Sequence, residues 1–254
     1  MATIQCGAVQ FQQIQAIVFD KDGTLADSHA YLSHLGHKRA RLLDAQVPGV
    51  QEPLLMAFGL DRDVLNPAGL LAVGTRQENE VAAAAYVAET GRNWLESLTI
   101  VRSAFMEADQ ILQRKADSTP PFAGAIDLLR SLAAAGIKLG ILSADTTTNV
   151  QDFIDRYQLE SLIQVGMGTD LPPGKPHPAP FHRICEALAT PPARTLMVGD
   201  SVADLEMAQA AGAAGSVGVT WGWTGVAALT QATVIIHQFT EIYLLNHPVK
   251  RAEE

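Results

Sequence analysis

The sequence predicts an α/β protein: a doubly wound parallel sheet interrupted by an all-helical insertion. Three observations carry that expectation. Short apolar runs recur at 16–19, 138–142, 195–198, 216–219 and 234–236, with the length and unbroken hydrophobicity of strands covered on both faces. Segments of helical periodicity lie between the later runs, the pattern of parallel strands joined by crossover helices. Residues 28–118, in contrast, carry helical signals and no convincing strand.

Taken in order, residues 3–13 read as a small strand or hairpin ahead of the sheet. The first core strand, 16–19, runs into Asp20. The insertion follows. "TRQE" at 75–78 and "NWLE" at 93–96 each place a capping residue three positions before a glutamate, the signature of a helix start. Leu98, Val101, Phe105, Ala108 and Leu112 then recur at 3-4 spacing. The polar stretch "ADSTPP" at 116–121 reads as the exit linker. The expected division is therefore residues 1–26 and 119–254 for the core and 27–118 for the helical insert. In "PFAGAIDLLRSLAAAG", Phe122, Ile126, Leu129 and Ala133 share a face and Gly136 fits the position just past the helix end. "HPAPFHRICEALA" puts Phe181, Ile184, Cys185 and Leu188 on one face.

Bulk properties exclude several classes. The 254 residues, 48% of them hydrophobic, suffice for a core domain plus a smaller one. No apolar run approaches the roughly 18 residues that cross a bilayer, and the N-terminus lacks the basic and apolar regions of a signal peptide. Two distant cysteines, Cys6 and Cys185, suit a reducing cytoplasm. A net charge of −9 argues against nucleic acid or an anionic membrane as partner. It leaves room for a small anionic substrate, because a metal ion and one lysine can invert a local field.

The chemistry concentrates in "IVFDKDGTLADS", residues 17–28. Active sites of open parallel sheets lie at the carboxyl ends of strands, and Asp20 is at such an end. Residues i and i+2 of an extended chain point the same way, so Asp20 and Asp22 are expected to face one site with Lys21 turned away. Gly23 permits a tight turn. Two carboxylates there suit a divalent cation or an acid/base pair. A bland alternative is a strand end with polar turn residues. Three further stretches weigh against it. "GILSAD" ends a strand at Ser143, "PPGKPHPAPF" sets Lys175 in a Gly/Pro-rich loop before a helix, and "LMVGDSVADL" puts Asp200 and Asp204 just after a strand.

These four stretches, in this order, resemble the four motifs of the haloacid dehalogenase superfamily, and the likeness covers the whole chain, with a Rossmann-like core and a helical cap similar to the phosphoglycolate-phosphatase-like subfamily. The resemblance implies a Mg²⁺-dependent phosphatase acting on a small phosphomonoester through an aspartyl-phosphate. Asp20 would be the nucleophile and Asp22 the general acid and base. The metal would be held by Asp20, the Asp22 backbone carbonyl and Asp200. Ser143 and Lys175 would bind the phosphoryl group, with Asp204 and Thr24 supporting them from behind. The position of Asp22 disfavours a carbon-attacking dehalogenase and a P-type ATPase. A phosphomutase uses the same motifs and stays open as an alternative, as does a non-catalytic partner-binding protein on this fold. Phosphoglycolate is a possible substrate by analogy. The expected partner is a small phosphorylated metabolite, with the oligomeric state left open.

Other polar residues read blandly. Arg62 and Arg76 could meet a substrate carboxylate, but a solvated helix face is the simpler reading. Asp145 is expected to cap the helix that starts in "TTTNVQDF". His29, His34 and His37 lack the spacing of three ligands on one helical face. His177 shapes its loop, Cys185 packs, and Trp221 and Trp223 fall in a loop after a strand.

Overall fold

The computed structural model of the protein describes residues 2–112, 114–223 and 229–245. The chain opens with the expected hairpin, β1 (Ala2–Cys6) and β2 (Val9–Ile14). The first core strand, β3 (Ala16–Phe19), is buried along its whole length, as its unbroken apolar sequence requires.

The insertion comes next. It holds α1 (His29–Gln46), α2 (Gln51–Phe58), a two-residue ladder of β4 (Leu60–Asp61) with β5 (Val64–Leu65), α3 (Leu70–Val73), α4 (Arg76–Glu89), α5 (Trp94–Ile111) and α6 (Lys115–Ser118). The small ladder is a departure from the all-helical expectation; two residues per strand leave no alternating pattern to detect. Both helix starts are capped as read. Thr75 and Glu78 form a reciprocal capping box on α4, and the Asn93 side chain accepts from the Glu96 N–H on α5. The helices bury a core of their own around Leu35, Leu43, Leu54, Phe58, Val101 and Phe105, separate from the two clusters that line the faces of the main sheet. Two chain passages join insert to sheet. Asp27 N–H donates to Pro120 O at 2.8 Å and Phe122 N–H to Leu25 O at 2.9 Å.

The rest of the chain alternates: α7 (Ala125–Ala134), β6 (Lys138–Leu142), α8 (Thr147–Arg156), β7 (Val165–Met167), α9 (Ala179–Ala187), β8 (Thr195–Gly199), α10 (Val202–Ala210), β9 (Gly215–Val219) and β10 (Val234–Ile236). The sheet runs β10-β9-β8-β3-β6-β7, every pair parallel. β7 was not legible: it has three residues with glycine at its centre. A last strand, β11 (Ile242–Leu244), returns antiparallel to β1 and extends the N-terminal hairpin to three strands. On α7 the most buried residues are Ala125, Leu128, Leu129 and Leu132, with Phe122, Ile126 and Ala133 packed half-buried against the same core. Gly136 has φ +78°, as its place past the helix end demands.

This topology matters for chemistry. β3 sits between β6 and β8, with Phe19 opposite both Ile141 and Val198. Three neighbouring strands therefore end at Asp20, Ser143 and Asp200.

Candidate active site

Asp20 follows directly on Phe19, and its N–H donates to Val198 O at 2.8 Å, which ties the turn to β8. Lys175 arrives from the loop between β7 and α9. Its Nζ donates to Asp20 Oδ1 at 2.6 Å and to Asp204 Oδ1 at 2.5 Å. Asp204 lies in the first turn of α10, where it forms a capping box with Ser201. Asp20, Asp200 and Asp204 each bring a carboxylate oxygen within 4.8 Å of the other two, and all three are buried.

Asp200 is gripped from the other side. Thr24 Oγ1 donates to its Oδ1 at 2.7 Å, and the Trp223 indole N–H donates to its Oδ2. Trp221 donates to Thr24 O at 2.9 Å. Gly23 makes this approach possible. Its φ is +83°, and a Cβ there would stand 2.4 Å from Asp200 Oδ2. The two tryptophans therefore brace the first motif against the third strand end. A paired aromatic in a loop at the carboxyl end of a strand was the only sequence signal for them.

The charges explain the titration. Burial pushes Asp20 well above the usual carboxylate range; Lys175 opposes this, while Asp204 and Asp200 add to it. Burial and then Asp204 push Asp200 up to about 6, against the hydrogen bonds from Thr24 and Trp223. Burial disfavours charged Lys175, but Asp20 and Asp204 outweigh it and raise its pKa. Three buried carboxylates thus crowd about one buried ammonium group. That donor set is short of positive charge and fits a divalent cation with oxygen ligands.

Asp22 goes elsewhere. Lys21 is not turned away from it: Lys21 Nζ lies 2.8 Å from Asp22 Oδ1 and 3.2 Å from Asp145 Oδ2. Lys115, from α6, donates to Asp22 Oδ2 at 2.9 Å and to Asp145 Oδ2 at 2.6 Å, and Ser28 Oγ also donates to Asp22. Burial would raise Asp22, yet Lys115 and Lys21 outweigh it and hold it below the usual carboxylate range. The same two lysines outweigh burial at Asp145. Asp145 is therefore not the helix cap. Thr146 takes that place, accepting from Asn149 N–H at 3.2 Å, because a buried ammonium competes more strongly for a carboxylate than a helix end does. Ser143 is buried at the end of β6, its Oγ accepting from Asp145 N–H at 3.2 Å.

Lys115 was missed in sequence; nothing local marks it. Arg76 is not on a solvated face: it bonds Glu80 and Asp109 and reaches the space beside Asp22. Arg62 stays outside, beside the small ladder, where its backbone O bonds His37 at 2.8 Å. A cleft of about 590 Å³ opens between the start of α4 and the loops after β6 and β7. None of Asp20, Asp22 or Asp200 lines it, but it shares Arg76 and Asp145 with a smaller cavity beside Asp22.

The chain is similar to known proteins over most of its length. Phosphoglycolate phosphatases of Salmonella paratyphi A and Escherichia coli K12 are 30% and 29% identical over 240 residues, covering 92% of this chain and 92% of theirs. The crystal structure of a predicted phosphoglycolate phosphatase from Haemophilus somnus 129pt superposes with a TM-score of 0.68 at 24% identity, covering 91% of this chain and 96% of that one. A HAD-superfamily hydrolase from Geobacter sulfurreducens PCA has the same fold, with a TM-score of 0.58 at 20% identity over 90% and 94% of the two chains. A family profile described as haloacid dehalogenase-like hydrolase matches residues 14–212, which takes in four of the six strands of the main sheet, the helical insert and every residue of the two charge clusters, so the chain belongs to the haloacid dehalogenase-like hydrolases.

Proposed function

We propose that the protein is a Mg²⁺-dependent phosphatase of a small phosphomonoester related to phosphoglycolate, with residues 27–118 acting as a cap over the strand ends. The observation that carries this reading is the clustering of the Asp20, Asp200 and Asp204 carboxylates, two of which, Asp20 and Asp204, bind Lys175. The curated relatives support the choice of substrate.

The residues divide the work. Asp20 attacks phosphorus, forming a bond from its carboxylate oxygen while the bond to the ester oxygen breaks. Asp22 gives its proton to the departing alkoxide. It then takes a proton from the water that attacks the aspartyl-phosphate, and inorganic phosphate leaves with Asp20 restored. At rest the two lysines hold Asp22 as a carboxylate, its base form. The negative charge of an arriving phosphoester pushes its pKa up, and it then takes from solvent the proton it donates. Such transfer typically contributes about 10²–10⁴ in rate. Ser143 and Lys175 bind the phosphoryl oxygens, and Asp204 holds Lys175 in place. Asp20, Asp200 and the Asp22 backbone carbonyl would hold Mg²⁺, which supplies charge neutralisation between an anionic nucleophile and an anionic substrate.

The test is phosphate release from a panel of phosphomonoesters that includes phosphoglycolate and an aryl phosphate, with Mg²⁺ and with excess chelator. Turnover that needs Mg²⁺ is the expected result. No turnover of any ester by folded protein with metal present would refute the reading.

A further inference from the structure

The small cavity beside Asp22 has a volume of about 70 Å³. Asp22, Lys115 and Asp145 line one side of it, and Arg39, Arg76 and Asn79 of the helical insert line the other. Its charge balance is uneven. Arg39 of α1 and Arg76 of α4 lie 4.3 and 5.1 Å from the ring of the same residue, Phe105. Both reach one carboxylate, Asp109. Glu80 is shared by Arg76 and Arg102. Of the charged residues that line the cavity, Arg39, Arg76 and Lys115 are cationic and Asp22 and Asp145 anionic, which leaves one positive charge in excess.

Two buried polar atoms of the lining are also unpaired among the described residues. Arg39 is 5% exposed, and its Nε has no hydrogen-bond partner among them. Its hydrogen bond from Nη2 to Asp109 Oδ1 is long at 3.4 Å. Asn79 is 2% exposed; its Nδ2 donates to Leu70 O and Thr75 O, while Oδ1 has no partner among the described residues. Buried donors and acceptors are almost always paired in finished structures, so these two point to a ligand. Arg39 needs an acceptor, best an anionic one. Asn79 needs a donor, which a hydration water carried in with that anion can supply.

We propose that this cavity receives the leaving group, and that Arg39, backed by Arg76, selects a carboxylate carried one or two carbons from the ester oxygen. A cavity of about 70 Å³ has room for a carboxylate on a short stem. The assignment rests on the phosphatase reading for what occupies the neighbouring strand ends, but its own test is binding.

The experiment uses the Asp20→Asn protein with Mg²⁺, so that esters bind without turning over. Calorimetry compares phosphoglycolate with ethyl phosphate, which has the same stem and no carboxylate. Phosphoglycolate is expected to bind tighter by about tenfold to a hundredfold, the range of one hydrogen bond to a charged group. Adding Arg39→Met should bring the two esters close to equal, mainly by weakening phosphoglycolate. Arg39→Lys should keep part of the preference, and Arg76→Gln should reduce it. These two variants carry the test if Arg39→Met does not fold. Equal affinity for the two esters at the start, or an unchanged ratio in every foldable Arg39 and Arg76 variant, overturns the proposal. Arg39-dependent binding beside a wild-type protein that turns over no ester would instead sink the phosphatase reading and leave the pocket standing.

Discussion

Asp20 and Asp22 are two positions apart, yet they live in opposite electrostatic worlds. Asp20 joins Asp200 and Asp204 around Lys175, where three carboxylates share one cation. Asp22 joins Asp145 around Lys21 and Lys115, where charges balance. Burial is common to both sides, so the count of lysines decides the sign: Asp20 is driven up and Asp22 down. The first cluster wants a further cation. The second is already neutral and holds a base ready. Two carboxylates from one turn can hold different roles because the turn sends them to different neighbours.

The sharpest way to break this division is at Asp20. Asp20→Asn should lower turnover by about 10⁴ or more, since it removes the attacking oxygen and one charge of the acid cluster; steady-state assays on an aryl phosphate would show it. Lys115→Met probes the other side. It leaves Asp22 and Asp145 with one lysine between them, and kcat should fall by about tenfold to a hundredfold as Asp22 loses its position. Because the cation that holds Asp22 down is gone, the acid limb of the pH-rate profile should move to higher pH.

Metal binding sharpens the comparison next. Mg²⁺ at about a hundred times its Kd should stabilise the wild type by about 2.7 kcal/mol, a rise in Tm of about 5–10 °C for a chain of this size. Asp200→Asn should abolish the rise. Asp22→Asn should keep it, because that side chain is not in the acid cluster. Trp223→Phe, which removes the indole donor from Asp200, should weaken Mg²⁺ by about tenfold. Scanning calorimetry with and without chelator measures all four.

The smallest expected effect is on stability against pH in the metal-free protein, and here the two clusters have opposite signs. Asp20 and Asp200 have raised pKa values in the folded state, Asp200 near 6. The folded protein then holds more protons than the unfolded chain between about pH 4 and 6, and stability falls as pH rises through that window. Asp22 and Asp145 have lowered values. The stability they contribute is complete above the ordinary carboxylate pKa and is lost as pH falls below it. Chelated protein should therefore be most stable near pH 4–5 as far as these groups decide it. Asp200→Asn should flatten the upper slope, and Lys115→Met the lower one. Thermal melts across pH would check both.

The acid cluster was legible in sequence and the lysine cluster was not, for a physical reason. Asp20, Asp200 and Lys175 sit at strand ends or at a loop before a helix, so alternating strands and helices already fix them on one edge of a sheet. Asp204 follows Asp200 by one helical turn. Lys115, in contrast, is 93 positions from Asp22 and belongs to a four-residue helix with no pattern. Arg39 is 70 positions from Asp109 and sits on a helix whose polar residues look ordinary. Asp145 shows how a sound local rule loses: the cap position was available, but Lys115 and Lys21 offered a buried charge pair. The helical insert was visible as a block through its two capped starts, while its packing on the sheet, which puts Arg39 and Arg76 beside Asp22, depends on contacts no local pattern encodes.

The most direct test of the division between the two carboxylates is to trap the phosphoenzyme. Asp22→Ala protein with Mg²⁺ would be mixed with an aryl phosphate, whose leaving group needs no acid, quenched in acid and mapped by peptide mass spectrometry. One phosphoryl group on Asp20, absent when Asp20→Asn is added, is the predicted result. A phosphoryl group on any other residue, or none while the aryl alcohol is still released, would contradict it.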